Sequence, residues 1–117
     1  DGHQLDIPIA ILINEESASA AEVLTGALTD YDRAVSVGTT SYGKGIVQSL
    51  IPLGDGSAIK ITMAHYYTPS GFDLHGKGIT PDVEVELDEA LRTQAVVEPQ
   101  EDNQVQAAVE EVMEQME

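Results

Sequence analysis

Pro8-Ile9-Ala10-Ile11-Leu12-Ile13-Asn14 is apolar through Ile13, at every position an extended chain would turn to either side. No other stretch constrains the fold as much. A strand with no polar face has to be covered on both faces, which is the situation of strands in parallel sheets. The run is therefore expected to be a central, parallel strand. The segment SASAAEVLTGALTDY follows, with Ala20, Leu24, Ala27, Leu28 and Tyr31 at helical spacing. Gly26 is its one weak helix former and reads as an allowance for close packing on the sheet. Ala34-Val35-Ser36-Val37 is a second short strand, ended by Gly38. Strand, helix and strand within about 30 residues make a βαβ unit and place the chain in the α/β class.

Beyond Gly38 the pattern changes. Residues 46–53 and 58–67 are extended runs separated by Gly54-Asp55-Gly56-Ser57, and Ile59, Ile61 and Met63 alternate with Lys60 and Thr62. This predicts a β-hairpin. Thr68-Pro69-Ser70-Gly71 reads as a turn, and Gly76-Lys77-Gly78-Ile79-Thr80-Pro81-Asp82 as a glycine-rich loop closed by proline. Val83, Val85 and Leu87 alternate with Glu84 and Glu86, as in a half-exposed edge strand. Residues 98–103 are polar and read as a linker. After them Val105, Ala108, Val109, Val112, Met113 and Met116 form an apolar stripe on a C-terminal amphipathic helix. That helix either covers its own domain or docks on a neighbour. The expected division is a partial core domain over residues 1–97 and an acidic linker with its helix over 98–117.

Charge excludes several partners. The net charge is −16, and the acids crowd toward the end: residues 84–117 carry eleven acids and one base. So acidic a chain repels nucleic acid and anionic membrane at long range. It also makes bases scarce, namely Arg33, Lys44, Lys60, Lys77 and Arg92. There is no cysteine, and His3, His65 and His75 show no metal-ligand spacing, so neither metal nor cofactor is expected. No apolar run has the length of a membrane span. The opening on Asp1 without Met reads as a piece of a longer protein.

The stretch GTTSYGKG, residues 38–45, has most of a phosphate-loop pattern. Such a loop works by running into a helix N-terminus, whose amides and dipole face the anion. Here IVQSLIPL follows, β-branched and without helical period, and Gly45 stands where a magnesium-binding hydroxyl belongs. Nucleotide binding is rejected on both counts. Ser17 and Ser19 lie between the first strand and its helix, at the sheet edge where ligands gather in open α/β folds. A serine there would present its hydroxyl beside helix N-terminal amides ready for an oxyanion. It would need a base, and lysine serves only where desolvation draws its pKa well below about 10.4. Lys44, between two glycines, is a candidate. The plain alternatives remain open. Ser19-Ala20-Ala21-Glu22 fits a capping box, Ser17 is an equal N-cap candidate, and Lys44 is a solvated loop residue on its own. A Ser–His–acid triad through His65 or His75 has no local motif behind it.

Together, NEESASAAE (residues 14–22), SYGKGIVQ (41–48), and TPSG with GKGITPD (68–82) resemble the C-terminal processing peptidases, or tail-specific proteases. The resemblance spans about residues 7–87 in the family's order and spacing. It implies a crotonase/Clp-protease-like βαβ core. It also implies Ser19 as nucleophile, Lys44 as general base twenty-five positions later, and Gln48 as the group orienting Lys44. On an extended segment, positions 44 and 48 face one side, so Gln48 could reach the Lys44 amine. The Ala20 N–H, next after the nucleophile, is the first oxyanion donor. Ala21, Tyr42 and Phe72 depart mildly from the family pattern.

What the resemblance implies is a serine-type endopeptidase acting near the C-terminal tails of proteins, in an extracytoplasmic compartment. A peptide-capturing PDZ domain and the segment giving the second oxyanion donor are absent from these residues. Loss of one such donor costs roughly 10²–10³ in rate, so these residues alone are expected to be weakly active or inactive. Any membrane contact would come through the missing regions. Two other readings stand beside this one. The first is a protease-like scaffold that binds peptide tails without cutting them. The second is an oligomerisation domain in which the C-terminal helix pairs subunits.

Overall fold

The computed structural model describes residues 6–116; His3 lies outside the described residues. In chain order the elements are β1 (Ala10–Ile13), α1 (Ala20–Asp30), β2 (Val35–Gly38), β3 (Ile46–Pro52), β4 (Ala58–His65), β5 (Val83–Glu84) and α2 (Asn103–Glu114). β1, β2 and β5 form a parallel sheet in the order β1-β2-β5, with Ala10 opposite Val35, Ile13 opposite Gly38, and Val37 opposite Val83. The comparison with solved structures below supports this mixed α/β class.

Two expectations need correction. β1 is parallel as expected, but among the described residues it is an edge strand, and β2 is central. Helix α2 lies against both β1 and β2, and Ile13 is buried in the core, while Leu12 stays 44% exposed. The second correction concerns α1. Its buried residues are Glu22, Thr25 and Gly26, whereas Leu24 and Tyr31 are 59% and 68% exposed. The stripe of apolar spacing is not the face turned inward. Gly26 meets the turn at residue 68 and not the sheet: a Cβ there would lie 2.7 Å from Thr68 Cγ2. The helix end is tied to the same turn, since Ser70 N donates to Asp30 Oδ2 at 2.8 Å.

β3 and β4 pair antiparallel, with a bulge between Val47 and Gln48. This hairpin is a separate two-stranded sheet, and nearly all of its residues are exposed. The core is correspondingly small. Ile13, Leu74 and Ile79 form its centre, with Ile11 and Tyr66 packed against them. Asp82 clamps the glycine-rich loop to β2: its Oδ2 accepts from Ser36 N at 2.8 Å and from Ser36 Oγ at 2.7 Å. Asp102 caps α2, accepting from Gln104 N at 2.9 Å and Val105 N at 3.1 Å.

Candidate active site

The turn between β1 and α1 separates the two serines. Ser17 Oγ accepts from Asn14 N at 3.1 Å, and Ser17 N donates to Asn14 O at 2.9 Å, so this hydroxyl belongs to the Asn14 turn. Ser19 is the residue from which α1 starts, and it stands at φ 56°, ψ −111°. A serine with φ in the left-handed region is strained by about 1–3 kcal/mol and persists only where its surroundings hold it. Ala20 opens the helix, so its N–H is one of the first-turn amides with no intrahelical acceptor.

What holds Ser19 is Glu22, one turn along the helix and only 1% exposed. Glu22 Oε2 accepts from Ser19 N at 2.8 Å, which is the carboxylate half of the capping box. The same oxygen accepts from Lys44 N, also at 2.8 Å. One atom thus receives both amides, and the two nitrogens cannot lie further apart than twice that length. The other oxygen, Oε1, accepts from Ser41 Oγ and from Gly43 N, each at 2.6 Å. Burial pushes the Glu22 carboxyl up, but the Ser41 hydroxyl and the amides of Lys44, Gly43 and Ser19 outweigh it, leaving the carboxyl below its ordinary range. A buried, ionised carboxylate with four donors is a fully satisfied anion. The sequence pattern marked Glu22 only as a cap.

The loop bearing Lys44 is fixed from other sides as well. Ser41 Oγ accepts from Ile79 N at 2.7 Å, and Tyr42 N donates to Ser17 O at 2.9 Å. Gly43 stands at φ +87°, and a Cβ on it would lie 2.7 Å from Gly78 N. Gly78 in turn would place a Cβ 2.2 Å from Ser41 O. The glycines of this segment therefore let two loops touch backbone to backbone. Lys44 itself is half-buried.

Ser19, Lys44, Ile46, Val47, Gln48, Lys60 and Tyr66 line one cleft of about 330 Å³. The fold thus brings the three candidate side chains to a common space, along with a second amine, Lys60, and a phenol, Tyr66. Gln48 is arranged differently from the expectation. Its Nε2 donates to Thr62 Oγ1 at 3.4 Å, and the bulge at Val47/Gln48 breaks the alternation that would face positions 44 and 48 to one side. His65 and His75 stack edge to face with centroids 5.4 Å apart, and neither lines the cleft. Among the described residues no cluster of His, Cys, Asp or Glu has metal-site geometry, and no helix is long and apolar enough to cross a membrane.

The profile of Peptidase family S41 matches residues 1–85. Over 79 residues the chain is 57% identical to a carboxy-terminal-processing protease of Bartonella bacilliformis, a match covering 68% of this chain and 18% of that protein. Over 105 residues it is 45% identical to a carboxyl-terminal-processing protease of Synechocystis sp., covering 90% of this chain and 24% of the relative. Among solved structures, a photosystem II D1 C-terminal processing protease matches with a TM-score of 0.64 and 43% identity, over 68% of this chain and 20% of that one. A putative S41 protease from Bacteroides fragilis matches in fold, with a TM-score of 0.69 at 19% identity, over 94% of this chain and 28% of that one. The chain spans 16–24% of the length of the curated relatives it matches. With most of its length inside the family profile and such identity to named members, the chain belongs to peptidase family S41.

Proposed function

We propose that the full-length protein carrying this chain is a serine endopeptidase that cuts near the C-termini of protein substrates, with Ser19 as nucleophile and Lys44 as general base. The observation that carries this reading is the single Glu22 oxygen shared by the Ser19 and Lys44 amides, which ties both residues to one cleft. In the proposed reaction the neutral Lys44 amine takes the Ser19 hydroxyl proton as Oγ attacks a peptide carbonyl. It then returns that proton to the leaving amine. The Ala20 N–H at the start of α1 supplies one oxyanion donor. Gln48 orients Lys44 once its amide turns from Thr62 toward the cleft. The second oxyanion donor comes from residues outside this chain, so these residues alone are weakly active or inactive. Kinship of the βαβ core with the crotonase and Clp-protease folds, an extracytoplasmic location and capture of peptide tails belong to the same proposal. Homo-oligomerisation is a separate proposal, checked by light scattering with and without residues 98–117.

The test uses covalent labelling of the full-length protein by a serine-directed acylating reagent. Ser19→Ala abolishes labelling, and Lys44→Ala lowers its rate by at least 10²-fold, within the range of a general-base contribution. Because Lys60 lines the same cleft, Lys60→Ala decides which amine is the base. Equal labelling of wild type and Lys44→Ala would remove Lys44 from that role.

A further inference from the structure

Tyr66 lines the cleft and bonds to both Lys44 and Gly45. Its backbone N–H donates to Gly45 O at 3.0 Å, extending the β3–β4 ladder by one pair past the Ile46–His65 pairing. Its hydroxyl donates to Lys44 O. Both backbone groups of Lys44 are therefore occupied, the N–H by Glu22 Oε2 and the C=O by the Tyr66 hydroxyl. A residue bonded at both ends has little freedom in φ and ψ, and its side chain must leave the backbone in one direction. The tyrosine ring is itself anchored, since it packs against the Ile13, Leu74 and Ile79 core.

From this geometry we infer that Tyr66 is a positioning residue: its hydroxyl, by gripping the Lys44 carbonyl, aims the Lys44 side chain at Ser19 in the cleft that all three residues line. This rests on the reading of Ser19 and Lys44 as a catalytic pair. The electrostatics of the phenol agree with it. Burial pushes the Tyr66 phenol above its usual pKa, the nearby Ser19 side chain pulls it down, and the Glu22 charge raises it again. The net rise keeps the hydroxyl a donor throughout the neutral range.

The inference is tested in the full-length protein by Tyr66→Phe, which keeps the ring and its core contacts and removes only the hydroxyl. Turnover of a peptide substrate should show kcat reduced on the order of 10-fold or more, with KM and the thermal midpoint little changed, because misaimed groups lose rate before affinity. Replacing Tyr66 with 4-aminophenylalanine restores a donor at the same place and should recover most of the lost kcat, which a purely space-filling role would not do. Tyr67→Phe, at an exposed neighbour outside the cleft, is the control and should match wild type. Full kcat in Tyr66→Phe, or a loss that the amino analogue does not restore, overturns the inference. Should Ser19→Ala still turn over the peptide, the catalytic-pair reading itself fails, whatever Tyr66 does.

Discussion

Ser19 illustrates how a local rule and a proposed chemical role compete for one residue. As an N-cap it would choose an extended backbone, yet it stands at φ 56°. Glycine adopts that region without a Cβ penalty, so Ser19→Gly should melt higher than Ser19→Ala by about 1 kcal/mol, while both lose serine reactivity. Equal melting of the two variants would show that no strain is stored there. Glu22 sets a pH limit on the same site. Its folded carboxyl lies below the ordinary value of 4.5, so the stabilisation is complete above that value and is lost as pH falls through the folded one. Wild type should therefore lose stability steeply below about pH 4.5, and Glu22→Gln should flatten that acid limb. Glu22→Ala, leaving the Ser41 hydroxyl and three amides without an acceptor, should cost about 3 kcal/mol or more in thermal or urea unfolding. The cap was legible in Ser19-Ala20-Ala21-Glu22 because it is a contact three residues long. The rest of the hub was not, because its donors come from positions 41, 43 and 44.

Elements were legible in kind more than in orientation. The periodicities gave a strand, a helix, a second strand and a hairpin close to where they occur, since these depend on local spacing and turn chemistry. The inward face of α1 did not follow from apolar spacing, because it is chosen by what the helix meets: the Lys44 loop against Glu22, and the residue 68 turn against Gly26. The bulge that separates Gln48 from a simple alternation also leaves no mark in Ile46-Val47-Gln48-Ser49. Two glycines of similar φ separate backbone strain from collision. Gly56 stands at φ +90° in open space, and Gly56→Ala should cost about 1–2 kcal/mol. Gly43→Ala adds contact with the Gly78 backbone and should cost roughly twice as much or more, with loss of labelling at Ser19. Urea unfolding of the two variants measures the difference.

As a whole the molecule is more extended than its length requires. The radius of gyration is 17.5 Å, against about 13 Å for a compact domain of this size. The β3–β4 hairpin accounts for much of this, with Leu50 and Met63 70% and 61% exposed. A lone hairpin is marginal in water, so these residues should be covered when the rest of the protein's length is present. The chain alone should accordingly bind a hydrophobic dye such as ANS and unfold with weak cooperativity, whereas the full-length protein should do neither. Composition reported a globular fraction of apolar residues, but not how few of them this portion encloses. The link from Ser41 Oγ to Ile79 N has a temporal meaning as well. During synthesis, the loop carrying the amine lacks one of its supports until some eighty residues of this chain have left the ribosome.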